Sequence, residues 1–504
     1  MKKVEFDGNI FVAGCGAIAQ CALPILLKEL DVDPKRITVM DFVDNRNRIK
    51  QQLDAGVNFV KDRITEENYK SLLSKYLKPG DIFIDLAWNM DTCDLLQWCR
   101  DNQVRFVNSS VELWDPYKNK KSNNPCEFTL YTRHMKLRKM IESWGDNKGS
   151  TAIIDHGANP GLVSHFTKQA LIDIAQKLIP PSPQTSLKAT LGITRLRRTG
   201  QEKSSDLRIV EIEQALTNKE FARLAYLLDV KTIHISERDS QITSNPKKVN
   251  EFVNTWSIEG LVEEGIAPVE FGWGTHEKTL PGGIVFYDYG PKNQACLRSR
   301  GFDTWARSFV PSGEIIGMIV RHGEAFSISD RLTLHENGKV IYRPTVHYVY
   351  CINDSAMNSI HELKMRQLEL QSKQRILNDD IIDGADELGC LLMGHEFKSW
   401  WIGSILDINE ARKLVPHQNA TTIQVAVAVV AAIRYLIKHP NEGVCLPDDI
   451  DYEEILEFSK AYLGTFISRA FDWSPLKIKE SYFDYYNKVI PKEDEWQFTT
   501  FLIK

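Results

Sequence analysis

Short apolar runs alternate with longer segments of helical period through the first third of the chain. Ile10–Ala13, Ile37–Met40, Ile82–Leu86 and Val104–Asn108 are brief and rich in Ile, Val and Phe, and each reads as a strand. Ala17–Leu30 lies between the first two and Cys93–Asp101 between the last two, each long enough for a helix. Strands separated by such helices imply βαβ units, hence a parallel sheet with right-handed crossovers. Strands covered on both faces should be nearly all apolar, and these largely are. The pattern predicts a Rossmann-type doubly wound parallel sheet over residues 1–157.

Beyond Ile153 the texture changes. Leu187–Thr194, Thr232–Ile235, Gly313–Val320, Ala325–Leu334 and Val340–Tyr350 are enriched in β-branched and aromatic residues and read as strands. Asn337-Gly338 between two of these runs is a tight hairpin signal, and Pro281-Gly282-Gly283 marks another turn. Residues 158–412 are therefore expected to form a second α/β domain with a largely antiparallel sheet. Over 413–504 the pattern returns to helix, at Thr422–Lys438 and Tyr452–Leu463, in a segment expected to pack back on the first domain. The longest apolar stretch, Ile423–Ile437, is interrupted by Gln424 and Arg434. Spanning a bilayer takes about 20 apolar residues, so this stretch predicts a buried helix and no membrane association. Asp448, Asp449 and Asp451 precede a helix and read as capping residues, not as a metal site.

Composition narrows the function classes. The chain has 504 residues, 62 Lys+Arg against 67 Asp+Glu, 43% hydrophobic and 26% charged residues, the balance of a globular protein. A net charge of −5 offers no footprint for a polyanion, which argues against nucleic acid as a partner. Arg195-Leu-Arg-Arg198 is a basic cluster that could suggest phosphate or nucleic acid but reads as a solvated turn face, given the acidic whole. Nine cysteines are scattered singly, without zinc spacing, as expected of reduced thiols in a cytoplasm. Acids at Glu5 and Asp7 and the short apolar run after them argue against a signal peptide.

Gly14-Cys15-Gly16-Ala17-Ile18-Ala19 follows a strand and opens a helix, the context in which a GxGxx(G/A) pattern binds a dinucleotide. Gly14 permits the tight turn, Gly16 lets the backbone approach a pyrophosphate, and Ala19 allows close helix–sheet packing. The helix N-terminus then offers unpaired N–H groups to the phosphates. Asp41, closing the second strand, is placed to take the ribose hydroxyls, which favours NAD over NADP. Arg46 and Arg48 just downstream weaken that choice unless they lie on a solvated face. Cys15 has no base nearby in sequence and reads as packing. We expect the cofactor's phosphates and ribose against Gly14, Gly16, Ala17, Ile18 and Asp41.

Asp155-His156-Gly157-Ala158-Asn159-Pro160-Gly161-Leu162-Val163 carries more information. By itself it is turn chemistry between domains. Taken with the glycine fingerprint it resembles the bacterial homospermidine synthases, relatives of the saccharopine-dehydrogenase-like oxidoreductases. Ser110-Val-Glu112-Leu-Trp114, Ile233–Gln241, Asn254-Thr-Trp256-Ser257 and Asp383–Gly389 extend the resemblance over nearly the whole chain. It implies a homodimeric, NAD-dependent aminobutyl transferase in which 158–412 serves substrate binding and dimerisation and the cofactor reaches inward along Ala87, Ser109, Asn159 and Pro160. One putrescine is oxidised to an imine, a second putrescine attacks it, ammonia leaves, and the hydride returns to give homospermidine. Spermidine can serve as donor, releasing 1,3-diaminopropane.

Such chemistry needs carboxylates for a dication, a base for the reacting nitrogen, and a π face for the iminium. The resemblance implies an aromatic platform at Trp256 and substrate-binding carboxylates at Glu237 and Glu264. Glu112 is expected to hold a distal ammonium, and Asn159 to lie beside the reacting amine, where its side-chain carbonyl can accept an N–H. Asp386 is chosen over Asp383 as a further ammonium partner, and His322 as a proton shuttle titrating near neutral pH. Each has a structural alternative: Trp256 in a core, Glu237 in a surface pair with Arg238, Asp383 and Asp386 capping a helix near Leu388, His322 as a hydrogen-bonded structural residue. Two other functions compete. A saccharopine- or carboxynorspermidine-type dehydrogenase would need Arg and Lys converging on substrate carboxylates. A non-catalytic dinucleotide sensor would lack the acids.

Overall fold

The computed structural model describes residues 2–116, 124–179, 200–476 and 491–503. Two sheets organise the chain. The first has seven strands, all parallel, in the spatial order Glu442–Cys445, Gly149–Ile153, Arg105–Asn108, Ile82–Asp85, Ile10–Ala13, Ile37–Asp41, Asn58–Lys61. Its order reverses between Ile10–Ala13 and Ile82–Asp85, and a crevice at such a switch point is where doubly wound sheets bind ligands. The strand predicted up to Leu86 ends at Asp85, and the helix predicted to Leu30 ends at Glu29, both within the usual boundary error.

The second sheet has ten strands and is antiparallel apart from one central pair, Thr232–Asp239 beside Thr345–Cys351. Asn337 and Gly338, at φ 50° and 74°, form the predicted hairpin turn between Leu334–Glu336 and Lys339–Tyr342. The run read as one strand over Val340–Tyr350 is broken into two, the second being Thr345–Cys351.

Two readings change. Ala325–Leu334 is not a strand; Gly323–Arg331 is a helix. Phe326 and Ile328 alternate with Ser327 and Ser329 as in a strand, while Glu324, Ser327, Asp330 and Arg331 recur at helical spacing, and packing settles the segment as a helix. Ala385–Met393 is a strand at the centre of the second sheet, so Asp386 caps no helix. Leu187–Thr194 and Arg195–Arg198 lie outside the described residues.

Helix Ala420–Lys438 starts at an Asn419 cap, whose side chain accepts the Thr422 N–H at 2.8 Å. It is long and apolar enough to cross a membrane, but 89% of its apolar window is buried inside the protein. Its Arg434 donates to the Glu29 carbonyl at the end of helix Ala17–Glu29, at 2.9 Å. The chain then adds Glu442–Cys445 to the first sheet and Thr465–Phe471 to the second. Asp451 caps the following helix through the Glu453 N–H and Asp449 accepts from Leu446 N–H, whereas Asp448 is buried on Ser164.

Candidate active site

The glycine turn leaves the end of Ile10–Ala13 at the switch point. Gly14 has φ 89°, and a Cβ there would sit 2.7 Å from the Leu86 carbonyl oxygen, so no other residue fits. Gly16 precedes helix Ala17–Glu29 with no side-chain cap, which leaves first-turn N–H groups unpaired. A Cβ on Gly16 would meet nothing within 4 Å. The turn forms one wall of a groove of about 630 Å³, with Asp41 and Phe42 beside it and Ala87 and Trp88 opposite. Asp41 is pinned by two backbone donors, Cys15 N–H at 2.6 Å and Val43 N–H at 2.8 Å. These are the parts a dinucleotide needs: donors for its phosphates, room at Gly16, and a carboxylate at the strand end.

Arg46 is paired with Asp44 at 2.9 Å on the surface and does not line the groove. Arg63 does, and its guanidinium lies over the Phe42 ring. Burial, then Asp41, pushes the Cys15 thiol up to about 12, which leaves it inert.

Past Ile18, Leu86, Ala87 and Trp88 the groove meets an inner cavity of about 200 Å³. Ser109, Glu112, Asn159, Pro160, Glu237, Trp256, Glu264 and His322 all line it, drawn from both sheets. Asp155, the first residue of the Asp155–Val163 motif, joins them, as do Arg133, Glu263, Arg321 and Tyr348, to which the sequence pattern gave no role.

Loop and strand meet at Glu237. Gly161, at φ 132°, closes the Asp155–Val163 turn so tightly that a Cβ would overlap the Gly157 carbonyl. That turn presents Asn159, whose Nδ2 donates to Glu237 Oε2 at 3.0 Å. The Tyr348 hydroxyl donates to the same oxygen at 2.5 Å. Arg238 points the other way, to Ser312, so Glu237 is no surface pair. Burial pushes the Glu237 carboxyl up to about 8, against the pull of its two hydrogen bonds. Trp256 is half-buried. Its Nε1 donates to the Tyr350 hydroxyl at 3.1 Å, and its ring lies where a Cβ on Gly260 would be 2.6 Å away.

His322 sits between two carboxylates, Nε2 to Glu264 Oε1 and Nδ1 to Glu324 Oε1, each at 3.2 Å. Burial alone would lower its pKa, but Glu324 and Glu264 together raise it well above the ordinary value. The two carboxylates thus favour its imidazolium form over that of the imidazole expected to titrate near neutral pH. Burial raises Glu264, with His322 opposing. Among the described residues Glu264 Oε2 has no hydrogen-bond partner, an orphaned buried acceptor facing a need for a cation.

Glu112 also departs from expectation. Its Oε2 is 3.3 Å from Arg133, so an arginine already answers part of its charge. Burial, then Glu263, pushes it up to about 7, with Arg133 and Arg321 opposing. The two arginines converge on Glu263 at 2.7 and 2.6 Å and donate to the Val111 and Phe128 carbonyls. They are taken up by the protein itself. Asp386 is fully buried and lies behind Thr421, which donates to it and lines the cavity in its place. Burial, with Glu237 and Asp239 nearby, raises its pKa well above the carboxylate range. It is the inward acid of the pair, since Asp383 is exposed and accepts its neighbour's N–H. Set behind Thr421 and off the cavity wall, it is nevertheless no direct ammonium partner.

Comparison with known proteins gives a consistent family. Residues 10–153 match the saccharopine dehydrogenase NADP binding domain and residues 157–469 the saccharopine dehydrogenase C-terminal domain. Homospermidine synthase of Blastochloris viridis is 36% identical over 99% of this chain and 98% of its own length. That of Mesorhizobium japonicum is 34% identical over 99% and 97%. The crystal structure of homospermidine synthase from Legionella pneumophila in complex with NAD superimposes with a TM-score of 0.84 at 33% identity, covering 100% of this chain and 99% of that one.

Proposed function

The chain belongs to the homospermidine synthases, within the saccharopine-dehydrogenase-like family, and from that premise we propose how its side chains divide the work. It is an NAD-dependent aminobutyl transferase that joins two putrescines into homospermidine and releases ammonia. NAD, when bound, accepts the hydride that leaves the first putrescine and returns it at the end, so no net oxidation results. Gly14, Gly16, Ala17 and Ile18 hold its phosphates and Asp41 its ribose, with Ala87, Ser109, Asn159 and Pro160 along the way inward.

One observation carries the reading. Five carboxylates line the inner cavity, Glu112, Asp155, Glu237, Glu263 and Glu264, against three cationic side chains already held by the protein: Arg133 and Arg321 by Glu112, Glu263 and backbone carbonyls, and His322 by Glu264 and Glu324. The excess is negative and partly unsatisfied, which suits a diammonium ligand. A dehydrogenase acting on amino-acid substrates would need its arginines free.

Glu237 takes the proton from the reacting ammonium through Oε1, and the Asn159 carbonyl accepts a remaining N–H. Trp256 faces the iminium carbon. Glu264 pairs with an ammonium of the chain, and the His322 cation keeps that pairing from drawing in a second full charge. Glu112 receives the distal end. The proton Glu237 took from the reacting ammonium goes to the departing ammonia; Glu237, ionised again, takes one from the attacking nitrogen and returns it to the product amine. The same reading assigns 1–157 to cofactor, 158–412 to substrate and dimerisation, and 413–504 to a buttress, in a cytoplasmic homodimer that accepts spermidine as an alternative donor.

Two outcomes follow here. Because Glu237 must be ionised to act and its pKa lies near 8, kcat/KM is expected to rise with pH and level off above about 8; a flat profile from pH 6 to about 9 would contradict it. Trp256→Ala removes a desolvated cation–π contact of about 2 kcal/mol, a loss of roughly thirty-fold in kcat/KM, and Trp256→Phe a smaller one. Steady-state kinetics on both variants read this. The function itself is tested with purified protein, putrescine and substoichiometric NAD, without added reductant. Homospermidine and ammonia in equal amounts support it; steady NADH release without homospermidine refutes it.

A further inference from the structure

Strand Thr345–Cys351 runs parallel to Thr232–Asp239, with Tyr348 opposite Ile235 and Tyr350 opposite Glu237. Residues two apart on a strand share a face, and the two tyrosine rings stack at 5.3 Å and 17°. Both are buried, and a buried phenol needs a partner. Each finds it on a different working part of the cavity. Tyr348 donates to Glu237 Oε2, and Tyr350 accepts from Trp256 Nε1.

We propose that Tyr348 and Tyr350 are positioning residues that hold the base and the aromatic platform in one fixed relation to the reacting amine. The inference rests on the function proposed above. Tyr348 and Asn159 both bond Oε2 of Glu237, and among the described residues no donor bonds Oε1. The carboxylate thus cannot turn, and its open oxygen is the one aimed into the cavity. A base held at a fixed angle avoids the loss that a small misplacement imposes on proton transfer. Tyr348 stays a donor at working pH, since burial and the Glu237 charge push its hydroxyl well above its ordinary value. Tyr350 acts on the other part. An acceptor on an indole N–H pushes electron density into the ring, which strengthens the negative face that meets a cation. Stacking couples the two: neither hydroxyl can shift without displacing the other ring.

The test is kinetics on the NAD-loaded full chain carrying Tyr348→Phe, Tyr350→Phe or both, with melting temperature and NAD affinity as controls. Phenylalanine keeps the stack and removes only the hydroxyl. Tyr348→Phe is expected to lower kcat/KM about ten-fold and move the rising limb of its pH profile upward, because a carboxylate that loses a donor is harder to ionise. Tyr350→Phe is expected to lower kcat several-fold with the limb unmoved. NAD affinity should be unchanged in both. A lowered melting temperature with an unmoved limb in Tyr348→Phe would make the pair merely structural and overturn the inference, while the wild type still makes homospermidine. A wild type that makes none overturns the function and the inference together.

Discussion

Glu237→Gln leaves NAD bound and lowers turnover by about three orders of magnitude, within the range for removal of a positioned general base. The substitution keeps shape. A glutamine carbonyl can still accept the Tyr348 hydroxyl that now donates to Oε2 at 2.5 Å, so the cavity wall is held. It also removes a buried charge that has no cationic partner within hydrogen-bond reach, so the melting temperature should not fall. What disappears is the group that takes a proton from the reacting ammonium. NAD titration and single-turnover product analysis separate the two effects. Turnover within ten-fold of wild type would transfer the base role to another acid, of which Glu264 is the nearest in kind.

Gly16→Val blocks the cofactor without disturbing the fold. Gly16 has an ordinary φ of −75°, and a Cβ there meets open space, so the side chain projects into the groove where a pyrophosphate must approach. Displacing it should cost about 3 kcal/mol, on the order of a hundred-fold in the Kd for NAD, at an unchanged melting temperature. Gly14 is the control with the opposite outcome. Its φ of 89°, with the Leu86 carbonyl oxygen only 2.7 Å from where an alanine methyl would sit, makes Gly14→Ala a folding defect. Calorimetric NAD binding and thermal melts on the two variants distinguish them. Wild-type affinity in Gly16→Val would remove the pyrophosphate from this turn.

The contrast between those glycines also explains what could be read from the residues. The cofactor turn is local: a strand, two glycines and a helix start lie within ten residues, and backbone sterics demand them there. Glu237 and Trp256 are different. Nothing within a few residues of either marks it as facing a cavity, and only the resemblance to homospermidine synthases picked them out. Arg133 escaped notice because its meaning lies in Glu263, 130 residues away, and Tyr348 because its hydroxyl meets Glu237 across 111 residues. Tyr348 and Tyr350 lay in a run that read as a strand from its β-branched and aromatic content, but that strand is buried on both faces and nothing in it told what these hydroxyls meet. His322 was legible as a candidate and illegible as an imidazolium, since Glu264 comes from another segment. Helix Gly323–Arg331 was misread for a local reason: Phe326 and Ile328 alternate with serines as in a strand.

The central claim is that hydride leaves and returns within one acidic cavity, and isotopic label follows it directly. Putrescine carrying deuterium at both terminal carbons is incubated with the purified protein, catalytic NAD and an excess of unlabelled NADH. The account predicts homospermidine that retains every deuterium, with ammonia released in equal amount. Homospermidine one deuterium short would mean that hydride is exchanged with the solution pool, and the borrowing cycle described here would be wrong.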